Sequence, residues 1–385
     1  MSGRPFFHFM LAATLASAVT SVGVAQVATT IDVGNNSLDD LSRQEIAPMP
    51  REKARDPDAH TRKITLKECI EIALEQGNSG LKMSGSQASI PEIQRIQPES
   101  GTNSQGLMSQ KNRLDIQINY LLANVEVSYW NLFAAYRNLY AQEEGLKKSF
   151  LHYRYTDSRV AVGSDPVQNR DQSRAQMERF RRTVIDARGQ VQESERQLRG
   201  LLGMRSNDGM RLIPSDEPTF ALIAPDFQKA ADEAMANRPE LLNSRLDLKA
   251  QQRKLVSVKE LDNRDLVIAT ELTLKRSCLQ LRDTELKVLE YLVQQYRQVI
   301  QTHADIGPAQ AEREALQKYV AKIDSLISLG KWNAQDFLNY LTAQQQLATA
   351  IATESQAIAN YKKAQATFEF AKGTIQKYNN LPTGE

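Results

Sequence analysis

The same long helical hairpin is predicted twice in this chain. In the first copy a helical pattern reaches Gly163, turns and returns to Gly203, and in the second copy the turn falls at Gly330 and the return ends at Gly373. The turn glycines lie 167 residues apart and the closing glycines 170 residues apart. A spacing repeated this closely indicates an internal duplication. Two long hairpins in one chain predict a rod or a tube instead of a compact domain with a pocket.

Apolar side chains recur in alternating steps of three and four residues along both hairpins. This heptad spacing predicts helices that pack on one another at a shallow crossing angle. A composition with 24% charged and 6% aromatic residues fits long solvated helices. The first seam contains Leu114, Ile118, Leu121, Val125, Ser128, Leu132, Ala135, Leu139, Gln142 and Leu146, and the second contains Phe337, Leu341, Gln344, Ala348, Ile351, Ser355, Ile358, Tyr361 and Phe368.

A short amphipathic helix is predicted before each hairpin. The first begins at a capping box formed by Thr65 and Glu68 and ends at Gly77. The second begins near Phe227 and ends before Pro239. We therefore predict an all-α protein with two long antiparallel hairpins, two short equatorial helices at mid-height, and at most one or two short strands.

Two local features interrupt the helical pattern of the second repeat. Apolar and other residues alternate over residues 264–274, which is the one candidate strand in the chain. The long helix that follows is expected to bend near Gly307-Pro308, because proline cannot complete the backbone hydrogen-bond ladder.

The first residues of the chain have the pattern of a secretory signal peptide. Arg4 gives a basic start, an apolar run extends from Phe9 to Val24, and Ala25 is a small residue at the expected cleavage site. An uncleaved membrane anchor is the alternative, although the run is short for one. The predicted organisation is a signal peptide at 1–25, a disordered arm at 26–62, a first repeat at 63–203 that includes an irregular connector at 79–112, a linker at 204–225 and a second repeat at 226–380.

The residue types that carry catalysis or metal binding do not occur in the required patterns. The four histidines lack a second ligand at helical spacing, and His152 and His303 are expected to be solvated helix residues. No glycine-rich phosphate loop and no Gly-x-Ser-x-Gly elbow is present. The formal net charge is +2, so the chain has no overall field that would attract nucleic acid. We predict that the protein is not an enzyme and takes no cofactor or metal.

The two cysteines do not form a disulfide framework. Cys69 and Cys278 are about 200 residues apart, and Cys69 occupies an apolar position of the first short helix. Two separate buried thiols are favoured over a single bridge, which an exported protein could also form.

The hairpin tips are the candidate functional surface, because turn residues at the end of a rod have no role in the core. They include Gly163 and Asp165 in the first hairpin and Gly330 and Trp332 in the second. Trp332 has two interpretations: an exposed aromatic that anchors a partner, or a side chain that covers the neighbouring helix.

These features resemble the TolC-type family of outer-membrane efflux proteins. The resemblance covers most of residues 64–380, and it is carried by the order and repetition of motifs that are weak singly. The matching segments are the Leu66–Asn78 helix, Glu126-Val127-Ser128-Tyr129-Trp130-Asn131-Leu132, the Gly163 turn, Asn237-Arg238-Pro239-Glu240-Leu241, the Gly330 turn with Asp336-Phe337-Leu338, Thr342-Ala343-Gln344, Phe370-Ala371-Lys372-Gly373-Thr374 and Tyr378-Asn379-Asn380.

The resemblance implies a fold, an assembly and partners. Three protomers of such proteins form a hollow α-helical tunnel that continues into an outer-membrane barrel. The helix tips dock a periplasmic membrane-fusion adaptor, which connects to an inner-membrane pump. Acidic rings near the tips close the pore in that family. Asp171 fits one such position. Asn339 and Thr342 stand where the family often has aspartate, so two of the three matching positions in this chain have no acidic side chain for such a gate.

The chain departs from the family pattern where the membrane strands are expected. Residues 79–112 show neither alternation nor aromatic side chains, and residues 254–275 offer material for one strand at most. The sequence therefore indicates a TolC-like α-barrel protomer that has lost most of its membrane strands.

We predict a protomer of a trimeric, non-catalytic efflux duct that exports small molecules or proteins. It is expected in the outer membrane and periplasm. The alternative is a periplasmic coiled-coil scaffold, or an inactive barrel-less relic of a duct.

Overall fold

The computed structural model describes residues 60–76, 107–205, 208–219, 226–261, 263–329 and 334–381. The chain divides into a unit of residues 1–53 and a unit of residues 54–385, and all described residues belong to the second unit. The predicted signal peptide, most of the predicted arm, most of the connector at 79–112 and the second hairpin turn lie outside the described residues.

Helices account for most of the described chain, and the predicted all-α class is confirmed. The helices are α1 (Leu66–Gln76), α2 (Leu107–Ala161), α3 (Val167–Leu202), α4 (Phe227–Asn237), α5 (Pro239–Lys259), α6 (Arg264–Ala304), α7 (Ile306–Ser328), α8 (Ala334–Lys372) and α9 (Ile375–Tyr378), and the strands are β1 (His60–Ile64) and β2 (Met210–Pro214).

The first long hairpin consists of α2 and α3. Helix α2 has 55 residues, which corresponds to a length of roughly 80 Å. The two helices approach closely at Gly145, where a Cβ atom would lie 2.3 Å from the Phe180 ring. The hairpin turns at Gly163 and α3 ends at Gly203, and both glycines have a left-handed φ. The positions predicted for the turn and the end are confirmed.

The second long hairpin consists of α6 and α7 on one arm and α8 on the other. The helical arm is interrupted at Asp305, close to the predicted bend, because Pro308 has no N–H to continue the ladder. Arg313 of α7 pairs with Glu354 of α8 at 2.7 Å and helps to hold the arms together. Helix α8 ends at Gly373, whose φ is +73°.

Residues 264–274 form the first turns of α6, so the predicted strand is wrong. Asn263 caps this helix by accepting a hydrogen bond from the Leu266 N–H at 3.1 Å, and the helix packs against α5 in a short hairpin. Thr270 is buried, while Leu266 and Ile268 are exposed. Over eleven residues, about three helical turns, two-residue alternation is hard to tell from the pattern of an amphipathic helix.

The two strands pair in parallel, from His60 opposite Met210 to Ile64 opposite Pro214. The first residues of β1 lie in the segment predicted as arm (26–62), and β2 lies in the segment predicted as linker (204–225). Ile64 and Leu212 are fully buried in the core. The Tyr129 hydroxyl of α2 donates to the Ile64 carbonyl at 3.2 Å, which fixes the strand pair to the long helices.

The capping box predicted for α1 is confirmed. The Thr65 hydroxyl accepts from the Glu68 N–H at 3.2 Å, and the Glu68 carboxylate accepts from the Thr65 N–H at 3.0 Å. Helix α4 has its own N-cap, since Asp226 accepts from the Gln228 N–H.

The two hairpins pack together through α2 and α8, which touch along much of their length. Helix α3 flanks α2 on one side, and α6 and α7 flank α8 on the other. Helix α1 packs over α2 and α3, while α4 packs over α8 and α6. Each long hairpin therefore carries one short helix in an equivalent place, as the duplication predicts.

Candidate functional site

The described residues do not contain a group of three or more His, Cys, Asp or Glu side chains placed to hold a metal ion. The two histidines expected to be solvated are not. His152 is 6% exposed and its ring lies 4.9 Å from that of Tyr340 in the other hairpin. His303 is half-buried, with its ring 5.1 Å from that of Tyr361. Both contacts come from a different helix, which the local sequence pattern does not reveal.

The two cysteines are free. Cys69 is buried as predicted, and burial raises the pKa of its thiol to about 12. Cys278 is exposed on α6, so the prediction of two buried thiols is wrong for this residue.

The first hairpin tip is a well-capped turn. The Ser164 N–H donates to the Arg159 carbonyl at 2.9 Å and the Gly163 N–H donates to the Val160 carbonyl at 3.0 Å, as in a Schellman motif. Gly163 has φ +72° and nothing lies within 4 Å of the position of a Cβ atom. The turn is therefore rigid in its backbone and open on its surface.

The Asp165 carboxylate is engaged within this turn. Both of its oxygens accept from the Arg159 guanidinium, at 3.0 and 3.1 Å, and its side chain is 9% exposed. A bidentate pair of this kind fixes the turn and leaves Asp165 with little surface for a partner. The exposed groups at the tip include Val162, which is 75% exposed, and Val167, which is 52% exposed, with Gly163, Ser164 and Pro166 between them.

The predicted gate residues lie on two helices. Asp171 of α3 is exposed and pairs with the adjacent Arg170 at 3.3 Å. On α8, Asn339 is half-buried and Thr342 is exposed. Gly330 and Trp332 lie outside the described residues, so both interpretations of Trp332 stay predictions.

A layer of buried polar side chains joins the two hairpins on the tip side of the bundle. The Gln176 amide of α3 donates to the Leu341 carbonyl of α8 at 3.3 Å. The Tyr340 hydroxyl hydrogen-bonds Asp324 of α7. This layer contains Ser149, His152, Thr156, Ser173, Gln176 and Gln344, all below 9% exposed. Polar residues at heptad positions such as Gln344 were the sequence signal for it.

A groove of about 670 Å³ lies between the hairpins at the level of the α6–α7 junction. Its floor comes from α2 and α8, one wall from α3 and the other from the start of α7. The lining is dominated by amide side chains with alanines between them. The amides are Asn131, Asn138, Gln190, Gln197, Gln356 and Asn360.

The outer face of α6 carries an exposed apolar stripe. Leu272, Leu279 and Leu286 recur at intervals of seven residues and are 61%, 68% and 60% exposed. They lie on the side of α6 opposite buried Val288 and Leu292, because each residue advances about 100° around a helix. We call these three residues the leucine stripe. Such spacing is typical of a seam that packs against another helix.

Among the described residues, no helix combines the length and the apolar character needed to cross a bilayer.

Comparison with known proteins supports the efflux-protein resemblance. A family model described as "Outer membrane efflux protein" matches residues 104–204, which covers α2, α3 and the turn between them. A search of curated proteins found no significant match.

Several solved structures share the fold at low sequence identity. The open-state MtrE outer membrane channel of Neisseria gonorrhoeae has a TM-score of 0.61 and 14% identity, over 80% of this chain and 89% of that one. The outer membrane protein VceC of Vibrio cholerae has a TM-score of 0.57 and 11% identity, over 80% and 96%. The CmeC outer membrane channel of Campylobacter jejuni has a TM-score of 0.56 and 14% identity, and this chain covers 65% of its length.

The sequence match at residues 104–204 and the fold that the described helices share with outer membrane channels agree with the resemblance of this chain to the TolC-type family of outer-membrane efflux proteins.

Proposed function

We propose that this protein is a protomer of an export duct that acts without catalysis. The observation that carries the proposal is the pair of duplicated hairpins packed through α2 and α8, each with one short helix, in the fold of outer-membrane channels. The match of residues 104–204 to the outer membrane efflux protein model and the channel-like fold support a conduit without catalytic chemistry. The duct would carry small molecules or proteins across the periplasm and the outer membrane.

Assembly with copies of itself completes the proposal. The leucine stripe leaves apolar side chains in water along about four turns of α6. Burying one such side chain fully is worth about 1.5–3 kcal/mol, so a copy that covered the stripe would gain substantially. Helix α6 lies at one edge of the two packed hairpins and α3 at the other. Edge-to-edge contact therefore repeats around an axis, and we propose three copies in the closed ring.

The first hairpin tip supports docking of a periplasmic membrane-fusion adaptor linked to an inner-membrane pump. Asp165 holds the turn through Arg159, and the surface offered to the adaptor is the exposed part of the turn from Val162 to Val167. Gly330 and Trp332 would supply the matching surface of the second hairpin. Asp171, Asn339 and Thr342 would line the closed end of the duct, with one acidic ring instead of several.

A deletion strain tests the export function. Strains that lack the gene, carry it, or carry the Leu279→Glu variant are loaded with fluorescent dyes and antimicrobial compounds, and retained compound is measured. We expect the deletion to raise accumulation, the restored gene to lower it and the Leu279→Glu variant to fail. Equal accumulation in all three strains, for every compound, would reject the export role.

Fractionation of the same strains separates a duct from a periplasmic scaffold. A duct should sediment with the outer membrane and stay there after washing with high salt. A scaffold held by surface charges should be released, since salt screens such contacts. Release into the soluble fraction together with unchanged accumulation would favour the scaffold or relic.

A further inference from the structure

The groove between the hairpins has a neutral lining with its own hydrogen-bond partners. The Asn138 amide donates to the Gln190 amide oxygen at 3.1 Å, and the Gln356 amide donates to the Asn360 amide oxygen at 2.9 Å. These amides therefore satisfy one another across and along the groove. A solute that bound to these amides would have to replace their existing hydrogen bonds, so the net free energy of its binding would be small.

The lining itself carries one formal charge, and the nearest lysine bonded to a lining amide has the opposite sign. Asp305 is the one carboxylate among the described lining residues. Lys363, next to the lining, donates to the Asn131 amide oxygen at 2.9 Å. The Arg196–Glu193 and Arg313–Glu354 ion pairs beside the groove also balance in formal charge, so these groups together carry no formal net charge.

The groove faces away from the short helices and the strands. Asn131 lines it, whereas Tyr129, two residues earlier on α2, bonds β1 through Ile64. On α8 the same relation holds between Asn360, which lines the groove, and Lys362, which reaches Thr219 beyond β2 at 2.9 Å. Two residues correspond to about 200° around a helix. The amide-lined face is thus opposite the face that contacts β1 and the segment after β2.

We propose that this groove is part of the inner wall of the duct, and that its neutral amide lining admits hydrophilic solutes without selecting them by charge. This inference rests on the proposed function. The open side of the groove is concave between α3 and α7, so copies placed edge to edge would enclose it. The substrate class that fits such a wall is polar solutes of either charge.

Two glutamines on α3 provide a matched test of enclosure. Gln190 lines the groove and Gln192 is exposed about 200° away on the same helix. Each is changed to cysteine in a background with Cys278→Ser, because Cys278 is exposed while Cys69 is buried. The purified full-length assembly then reacts with a small maleimide or with a maleimide on a bulky polyethylene glycol.

We expect Gln190→Cys to react with the small reagent and several-fold more slowly with the polymer, while Gln192→Cys reacts with both. Rates in urea should be equal for the two positions and serve as the reference. Equal polymer rates in the folded assembly would overturn the inner-wall assignment. A protein that sediments as a monomer would overturn both this inference and the proposed assembly. Slow polymer labelling of Gln190→Cys together with unchanged dye accumulation in the deletion strain would support the inner-wall assignment of the groove and reject the export role.

Charged reagents test the neutrality of the wall. Small cationic and anionic thiosulfonates of equal size are applied to both cysteine variants at low ionic strength, where fields are least screened. We expect the cation-to-anion rate ratio at Gln190→Cys to match that at Gln192→Cys. Adding Gln356→Glu should raise the ratio several-fold at Gln190→Cys only. A strong preference for the cation without Gln356→Glu would overturn the claim of a neutral lining.

Discussion

Glu126 is buried on α2 with its carboxylate facing the carboxyl-terminal helix. The Asn379 amide donates to it at 2.6 Å. Burial raises the pKa of this carboxyl to about 7, with Glu369 acting in the same direction and with the Asn379 hydrogen bond and Lys362 opposing it. Between the ordinary pKa of 4.5 and about 7 the folded protein holds a proton that the unfolded chain releases. The free energy of unfolding therefore falls as pH rises through this range.

We predict that Glu126→Gln stabilises the protein at pH 8. Glutamine keeps an acceptor for Asn379 and removes the buried negative charge. At pH 8 that charge lowers the free energy of unfolding by about 3 kcal/mol at most. Urea denaturation from pH 4 to pH 8 measures it. Glu144→Gln, on the same helix and half-buried, is the control. A variant no more stable than wild type at pH 8 would contradict the account of Glu126.

His152 has the opposite dependence. Burial lowers the pKa of its imidazole to about 4, against the opposing effect of Asp324 and Asp165. Between pH 6.5 and about 4 the unfolded chain binds a proton that the folded protein does not, so stability falls as pH falls.

We predict that His152→Gln removes the loss of unfolding free energy that His152 causes as the pH falls below 6.5. This loss is again about 3 kcal/mol at most. The denaturation series should show wild type losing more stability than the variant from pH 6.5 to pH 4. Because the Glu126 effect overlaps it with opposite sign, the comparison is made in a Glu126→Gln background. If both proteins lost the same amount, His152 would not be the group that titrates.

At the scale of elements, close backbone contact fixes the junction between α8 and α4. A Cβ atom on Gly373 would lie 3.0 Å from the carbonyl carbon and oxygen of Asn237. Next to it, the fully buried Arg238 guanidinium donates to the Phe370 carbonyl at 2.9 Å and pairs with Glu240 at 3.0 Å. The end of the second hairpin is therefore locked to its short helix.

We predict that Gly373→Ala destabilises the protein more than Gly163→Ala. Both glycines have φ above +70°, so each alanine costs roughly 1 kcal/mol in backbone strain. Gly163 has open space around it, whereas Gly373 meets backbone atoms that cannot move aside, which adds roughly 1–3 kcal/mol. Thermal and urea unfolding of the two variants measure the difference, and equal losses would show that the contact with Asn237 yields easily.

At the scale of the whole molecule, the leucine stripe connects the fold to assembly. We predict that Leu279→Glu shifts the protein toward monomers, because a carboxylate in a helix seam cannot be buried unpaired. Leu151→Glu is the control, since Leu151 is 60% exposed on α2, which is neither of the two edge helices. Sedimentation equilibrium measures the mass.

Helical content by circular dichroism should be unchanged in both variants, because the replaced side chains are exposed. An oligomer that survives Leu279→Glu would show that the leucine stripe is not in the interface, and dissociation with Leu151→Glu would place the interface on α2 instead.

The sequence by itself determined the features that depend on residues close along the chain. The duplicated hairpins, the Thr65 capping box and the closing glycines at Gly203 and Gly373 follow from helical periodicity and from conformations that few residues adopt.

Tertiary structure decided the rest. Strands β1 and β2 are five residues each and pair across about 150 residues, so neither shows its partner locally. Residues 264–274 became helix because α5 covers one of their faces. His152 is buried by Tyr340 from the other hairpin, and the groove exists only where four helices meet. Such contacts join residues far apart in the chain, and a local pattern cannot encode which of them will meet.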